Sequence, residues 1–159
     1  MPRRIGKYAK IAAVVVPVII GFEGMRTVAY KDSAGIPTIC MGETLGVQMG
    51  DTATEDECGD MLDTRLPEFA AGIDACLPPD LPDKVYVSFL SAAYNIGINA
   101  FCNSSMARRA NEGKLYAACD ALLLWVKTTI AGMKVRLPGL VNRREQERAL
   151  CLEGLGVPS

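Results

Sequence analysis

The chain has 159 residues, half of them hydrophobic, with 17 basic and 18 acidic side chains, no histidine and a formal net charge of -1. That length sustains one core of ordinary size, a single domain over 1–159, and the near-neutral charge gives no reason to expect nucleic acid as a partner. Without histidine a Ser-His-Asp triad, a Cys-His dyad and His-containing zinc sites cannot be built, which leaves carboxylates as the proton handlers of any enzyme here.

The N-terminal segment, 1–22, opens with Arg3, Arg4, Lys7 and Lys10 and no acid, followed by the uncharged run "IAAVVVPVIIGF" at 11–22. By composition this is an export signal, yet the run falls short of the roughly 18 residues of a comfortable membrane span, and no small-x-small cleavage site follows it. Two readings stay open: an uncleaved export anchor that later leaves the bilayer, or the buried first helix of a soluble domain. A helix is expected over 7–23, bent at Pro17.

From 27 to 44, alternation and the turn residues Asp32, Ser33, Gly35 and Pro37 predict a small antiparallel hairpin. Glu23 sits at the end of the oily run and Asp32 in the polar turn nine positions later. Scarce water at Glu23 works against its ionised form, which suits a general acid, whereas turn amides and solvent at Asp32 favour an anion. An unequal pair of this kind is what glycoside hydrolysis requires, and Thr38 on the returning strand is placed to hold a water. The plain alternative is a helix-terminal Glu and a turn-forming Asp.

"TEDE" at 54–57 is a capping box, and a helix is expected from there to about residue 66, with a fresh helix from Pro67 to about residue 76. After the breaker "LPPDLP", apolar stripes at helical spacing run through Val85, Phe89, Ala92, Ala93 and Ile96, then through Leu115, Ala118, Cys119, Leu122 and Val126. Asn142 is expected to cap a last helix, "RREQERALCL", whose charges read by default as a solvated face. Acids dominate between Asp51 and Asp83, with Arg65 the lone base, and bases dominate beyond Lys84. The plan is α+β, with a small sheet-containing lobe at 23–66 and a helical lobe at 67–159.

The six cysteines, Cys40, Cys58, Cys76, Cys102, Cys119 and Cys151, form no CxxC. Their even number points to disulfides and an oxidising space such as a bacterial periplasm; buried thiols in a cytosolic core are the alternative. Spacing alone does not give their connectivity.

Taken in order, Glu23-Gly24, "AYKDSAGIPTIC", "GET", "SFLSAAYNIGINAF", "NSSMARRAN", Trp125 and "RREQER" resemble the phage-type lysozymes, the endolysin family of glycoside hydrolases, over about 22–152. The resemblance implies a two-lobed lysozyme-like fold with a cleft for alternating N-acetylmuramic acid and N-acetylglucosamine, no metal or organic cofactor, and a monomer that acts on peptidoglycan strands and lyses the host. It puts the proton donor at Glu23, the second carboxylate at Asp32 and support of the attacking water at Thr38. A water held there implies inversion at the sugar. Tyr94 stands at a cleft aromatic, Ser104 at a glycan-contacting hydroxyl, and Arg143 at a base that approaches the catalytic Glu.

One departure is Gly42-Glu43, where family members often have Gly-His; it removes that imidazole and adds a third carboxylate beside the cleft. The basic and apolar N-terminus with the cysteines is similar to the signal-anchor-release branch. That implies transient association with the host inner membrane followed by the periplasm, the alternative being residence in the cytoplasm until membrane lesions form. As a topological hypothesis, neighbours pair: Cys40 with Cys58, Cys76 with Cys102, and Cys119 with Cys151. Two other functions are kept open, a lytic transglycosylase and a non-enzymatic membrane- or wall-binding protein on a lysozyme fold.

Overall fold

The computed structural model describes residues 5–158; Arg3 and Arg4 of the expected export region lie outside the described residues. Helix α1 (Ile5–Glu23) runs through Pro17 without interruption. Ile11, Val15 and Ile19, four residues apart, are fully buried, while Ala13, Val14, Pro17 and Gly21 are exposed. The carbonyl that Pro17 leaves unbonded is therefore on the solvent side, where water serves it. Among the described residues no helix is long and apolar enough to cross a membrane.

Strands β1 (Arg26–Lys31) and β2 (Pro37–Cys40) form the expected antiparallel hairpin, with Tyr30 opposite Thr38 and Lys31 opposite Pro37. The segment 51–53 joins its outer edge, where Ala29 N–H donates to the Asp51 carbonyl and Ala53 N–H to that of Thr27, both at 2.9 Å. Helix α2 (Glu55–Asp74) starts on the capping box: Thr54 Oγ1 accepts from Glu57 N–H at 3.1 Å, and Glu57 Oε2 accepts from Thr54 N–H at 2.7 Å.

The break expected at Pro67 does not occur. Leu62, Leu66, Ala70 and Ile73 form one buried stripe that spans the proline, and Asp63, whose carbonyl Pro67 leaves free, is exposed. Continuous burial on one face holds the helix together and solvent satisfies the other. The 66/67 division thus falls inside a single helix that links the hairpin to the helical part of the molecule.

Helix α3 (Asp83–Ile96) is the hub: every residue from Val85 to Ala93 is buried, and α1, α2, α4 (Ile98–Cys102) and α7 (Pro138–Glu153) pack around it. Helices α5 (Ser105–Asn111) and α6 (Leu115–Ala121) follow, with a single 3-10 turn at Leu122–Leu124. The apolar stripe expected to stay helical as far as Val126 ends there. A second hairpin replaces it, β3 (Lys127–Ile130) with β4 (Met133–Arg136), closed by Ala131 and Gly132 at φ of +50° and +79°. Two left-handed residues give a turn whose twist matches that of its strands.

Helix α7 begins at Pro138, ahead of the expected cap at Asn142, because proline fits the first helical position, whose N–H would be unbonded in any case. Three disulfides tie the elements: Cys40–Cys58 joins β2 to α2, Cys76–Cys102 the end of α2 to α4, and Cys119–Cys151 α6 to α7. The architecture is the α+β arrangement expected, with helices predominating and two small antiparallel sheets.

Candidate active site

Glu23 closes α1, and its side chain is 20% exposed. Its Oε1 accepts from Nη1 of Arg143, whose own side chain is only 5% exposed and lies on α7. The oily run meets this site through Phe22, whose ring packs against the Arg143 guanidinium with 4.8 Å between the guanidinium carbon and the ring centroid. On the other side, a Cβ added at Gly42 would stand 3.4 Å from Glu23 Oε2. Gly42 has φ +84°, so glycine here serves both the backbone turn and the close approach of the carboxylate.

Arg143 is held by more than Glu23. Its Nε donates to Glu147 Oε1 at 3.0 Å and its Nη2 to the Ser91 carbonyl at 3.0 Å, while Ser91 Oγ donates to the same Glu147 oxygen at 2.8 Å. Arg144 Nε lies 3.3 Å from Glu147 Oε2, within ion-pair distance but out of hydrogen-bond alignment, and its Nη2 donates to Asn95 Oδ1. Burial pushes the Glu147 carboxyl above the usual range, with Arg144 and Arg143 pulling against it. The charges of "RREQER" are therefore not all a solvated face: Arg143, Arg144, Glu147 and Cys151 are buried, since this side of α7 packs on α3. A charge buried this deeply persists only with partners, and each of the three has one of opposite sign.

Asp32 is treated differently. Its Oδ1 accepts from Ala34 N–H at 2.8 Å and Ile36 N–H at 2.9 Å, so turn amides hold it in place. Thr38 is buried on β2 and donates its hydroxyl to the Ile36 carbonyl at 2.8 Å, which leaves its oxygen lone pairs as acceptors. The beginning of the β1–β2 turn also lines a cleft of about 400 Å³, in which Ser33 faces Asn95, Trp125 and the strand residues Lys127, Thr128 and Thr129.

Glu43 has both oxygens occupied: Oε1 accepts from Thr44 and Leu45 N–H at 3.0 and 2.9 Å, and Oε2 pairs with Arg65 Nε at 3.2 Å. Its charge is thus matched by the lone base of the acidic stretch. Tyr94 is half-buried, donates its hydroxyl to the Met41 carbonyl at 2.7 Å and packs on Phe69 with centroids 5.0 Å apart. Burial first, then the charges of Glu23 and Glu43, push its phenol well above the ordinary value of 10.0. Ser104 is buried as the N-cap of α5, accepting from Ala107 N–H and donating to the Phe101 carbonyl, so its hydroxyl serves the helix.

The fold therefore brings Glu23, Arg143 and Gly42 into one cluster, with Tyr94 close enough to feel the charges of Glu23 and Glu43, and it gathers Asp32 and Thr38 around Ile36. Ser104 belongs to a different element with a different task. Ser91, Arg65, Arg144 and Glu147 were not singled out as site residues from sequence; the one available signal for Glu147 is its spacing, four residues after Arg143 and three after Arg144. Chemically, a carboxyl fixed by one buried cation and a second held only by turn amides are equipped for unlike roles.

A family model described as phage lysozyme matches residues 20–147. The chain is similar to the SAR-endolysin of Pseudomonas phage phiKMV, 41% identical over 138 residues that cover 85% of this chain and 84% of that protein. Its structure is similar to an endolysin from Escherichia coli O157:H7 phage FAHEc1, with TM-score 0.82 and 32% identity over 91% of this chain and 93% of that one. The muramidase domain of SpmX from Asticaccaulis excentricus has the same TM-score at 29% identity, over 89% of this chain and 97% of that one.

Proposed function

This chain belongs to the phage lysozyme family, and we propose that it is a muramidase, an endolysin that hydrolyses the β-1,4 bond between N-acetylmuramic acid and N-acetylglucosamine of bacterial peptidoglycan. The reading rests on the unequal treatment of two carboxylates. Glu23, oriented by Arg143 at the end of α1, protonates the leaving oxygen. Asp32 keeps Oδ2 for the other side of the reaction, since only Oδ1 is taken by turn amides. Thr38, with its proton given to Ile36, accepts a hydrogen bond from the attacking water. The glycan lies between a lobe built on 23–66 and one built on 67–159, with Tyr94 on the wall beside Glu23, and the protein acts as a monomer.

The name of the SAR-endolysin relative and the apolar run at 11–22 support a matching life cycle: tethered to the inner membrane, then released to the periplasm. In the released enzyme Ile11, Val15 and Ile19 fill the core and Glu23 meets Arg143. While the same segment lies in lipid those contacts are unmade, so tethering separates the proton donor from the base that orients it.

The test is digestion of isolated peptidoglycan by the purified chain and by its Glu23→Gln form, with product masses. Hydrolysis yields fragments that have gained one water, and the Gln form yields them about 10² to 10⁴ times more slowly. Anhydro-sugar products would make the enzyme a lytic transglycosylase instead, and lysis retained by the Gln form would remove Glu23 from the chemistry.

A further inference from the structure

The hairpin β3–β4 has no part in the reaction just described, yet it forms one wall of the cleft that begins at Ser33, beside Asp32. Directly opposed residues of an antiparallel pair share a face, as do alternate residues of one strand. The register, Lys127 opposite Arg136 and Thr129 opposite Lys134, therefore puts Lys127, Thr129, Lys134 and Arg136 on one face, and Thr128, Ile130, Met133 and Val135 on the other. The first face carries three cations and the whole hairpin, 127–136, no acid. All three are exposed and none makes an ion pair among the described residues. Arg136 also lines a separate cavity with Glu145, bordered by Pro138 and Val141.

A neutral sugar ring gives no reason for such a face. The rest of the cleft already offers what a sugar needs, an indole at Trp125, an amide at Asn95 and hydroxyls at Ser33, Thr128 and Thr129. Peptidoglycan differs from a plain glycan by the peptide stems on its muramic acid, and those stems carry free carboxylates. We propose that the β3–β4 hairpin is a stem-peptide subsite, in which Lys127 and Lys134 bind stem carboxylates and so orient the strand along the cleft that starts at Asp32. A lipid surface is also anionic, but a bilayer is a plane and does not enter the recess that Lys127 lines with Ser33 and Asn95. The proposal rests on the muramidase reading above.

The experiment compares wild type with Lys127→Glu/Lys134→Glu on two substrates: intact peptidoglycan, and glycan strands whose stems an amidase has removed. Exposed charges leave the fold unchanged, which the melting temperature checks. The expected result is a loss of about tenfold in kcat/KM on intact peptidoglycan at low salt, with rates on stripped strands unchanged and the wild-type preference for intact substrate shrinking as salt rises. Equal losses on both substrates, or no loss on either, would overturn the subsite. So would unchanged rates together with lost binding to vesicles containing anionic phospholipid, which would make the hairpin a membrane surface. A wild-type chain inert on both substrates would instead sink the muramidase reading, and the subsite with it.

Discussion

Asp32 and Thr38 are joined through the backbone of a single residue, Ile36. The Ile36 carbonyl accepts both the Asp32 N–H at 3.0 Å and the Thr38 hydroxyl at 2.8 Å, and the Ile36 N–H donates back to Asp32 Oδ1 at 2.9 Å. Movement of the turn that carries one of these groups moves the other, so Asp32 and Thr38 behave as one unit.

Four substitutions test the two carboxylates and this coupling. Glu23→Gln and Asp32→Asn each lower kcat by about 10² to 10⁴, the usual worth of a positioned acid or base. Thr38→Ser keeps the hydroxyl and most of the activity, whereas Thr38→Val removes both the acceptor for water and the bond to Ile36. Rates of release of reducing ends from isolated peptidoglycan compare the four, and a Val form as active as the Ser form would exclude Thr38 from handling water.

Removing the cation that orients Glu23 strands two carboxylates. Arg143→Ala leaves Glu147 with one oxygen facing only Ser91 and takes from Glu23 its fixed partner, at an expected cost of about 3 to 5 kcal/mol in stability. Arg143→Lys restores charge but not the fork that reaches Glu23, Glu147 and the Ser91 carbonyl together, so it recovers more stability than activity. Chemical denaturation and turnover of the two variants check this; equal recovery of both would make Arg143 purely structural.

The elements that local chemistry dictates were legible in the sequence, and those that packing dictates were not. The capping box at Thr54, the turn at Asp32 and the end of α1 at Glu23 rest on neighbouring residues, and each is where it was expected. Pro67 was expected to divide two helices because only the folded molecule shows that Leu62, Leu66, Ala70 and Ile73 share one buried stripe. The β3–β4 hairpin was hidden because the helical spacing of Leu115 to Leu122 can be extended to Val126, and because Ala-Gly is a weaker turn signal than Asn-Gly. Charges on a helix read as solvated until the structure shows which of them face α3, which is why Glu147 was missed.

Alkaline pH weakens the fold through Tyr94. Its phenol is held protonated above the ordinary value of 10.0, so between that value and its own the folded chain binds a proton that the unfolded chain has lost. Stability from this group is complete below pH 10 and falls as pH rises beyond it. Tyr94→Phe flattens that slope, and loses about 1 kcal/mol at neutral pH with the bond to the Met41 carbonyl. Melting temperature against pH for both forms is the measurement; identical slopes would assign the alkaline loss to another group.

Each disulfide closes a loop of moderate length, and each contributes about 2 to 4 kcal/mol. Cys119→Ser/Cys151→Ser frees α7 from α6, and α7 carries Arg143, so activity falls with stability. Cys76→Ser/Cys102→Ser ties no catalytic element and lowers stability alone. Non-reducing peptide mapping of the wild type checks the three pairings directly.

Between Ile11 and Phe22 helix α1 presents different residues on its two sides, yet neither side carries a charge. Ile11, Val15 and Ile19 are apolar because the core demands it; Ala13, Val14, Pro17 and Gly21 face water, which makes no such demand. A helix written for water alone would carry charge at those outer positions. On the proposed life cycle the segment serves two solvents at different times, and its outer positions belong to the earlier one. Polar residues at 13, 14 and 17 would therefore leave a working enzyme that had lost its waiting state, active from the moment it reached the wall.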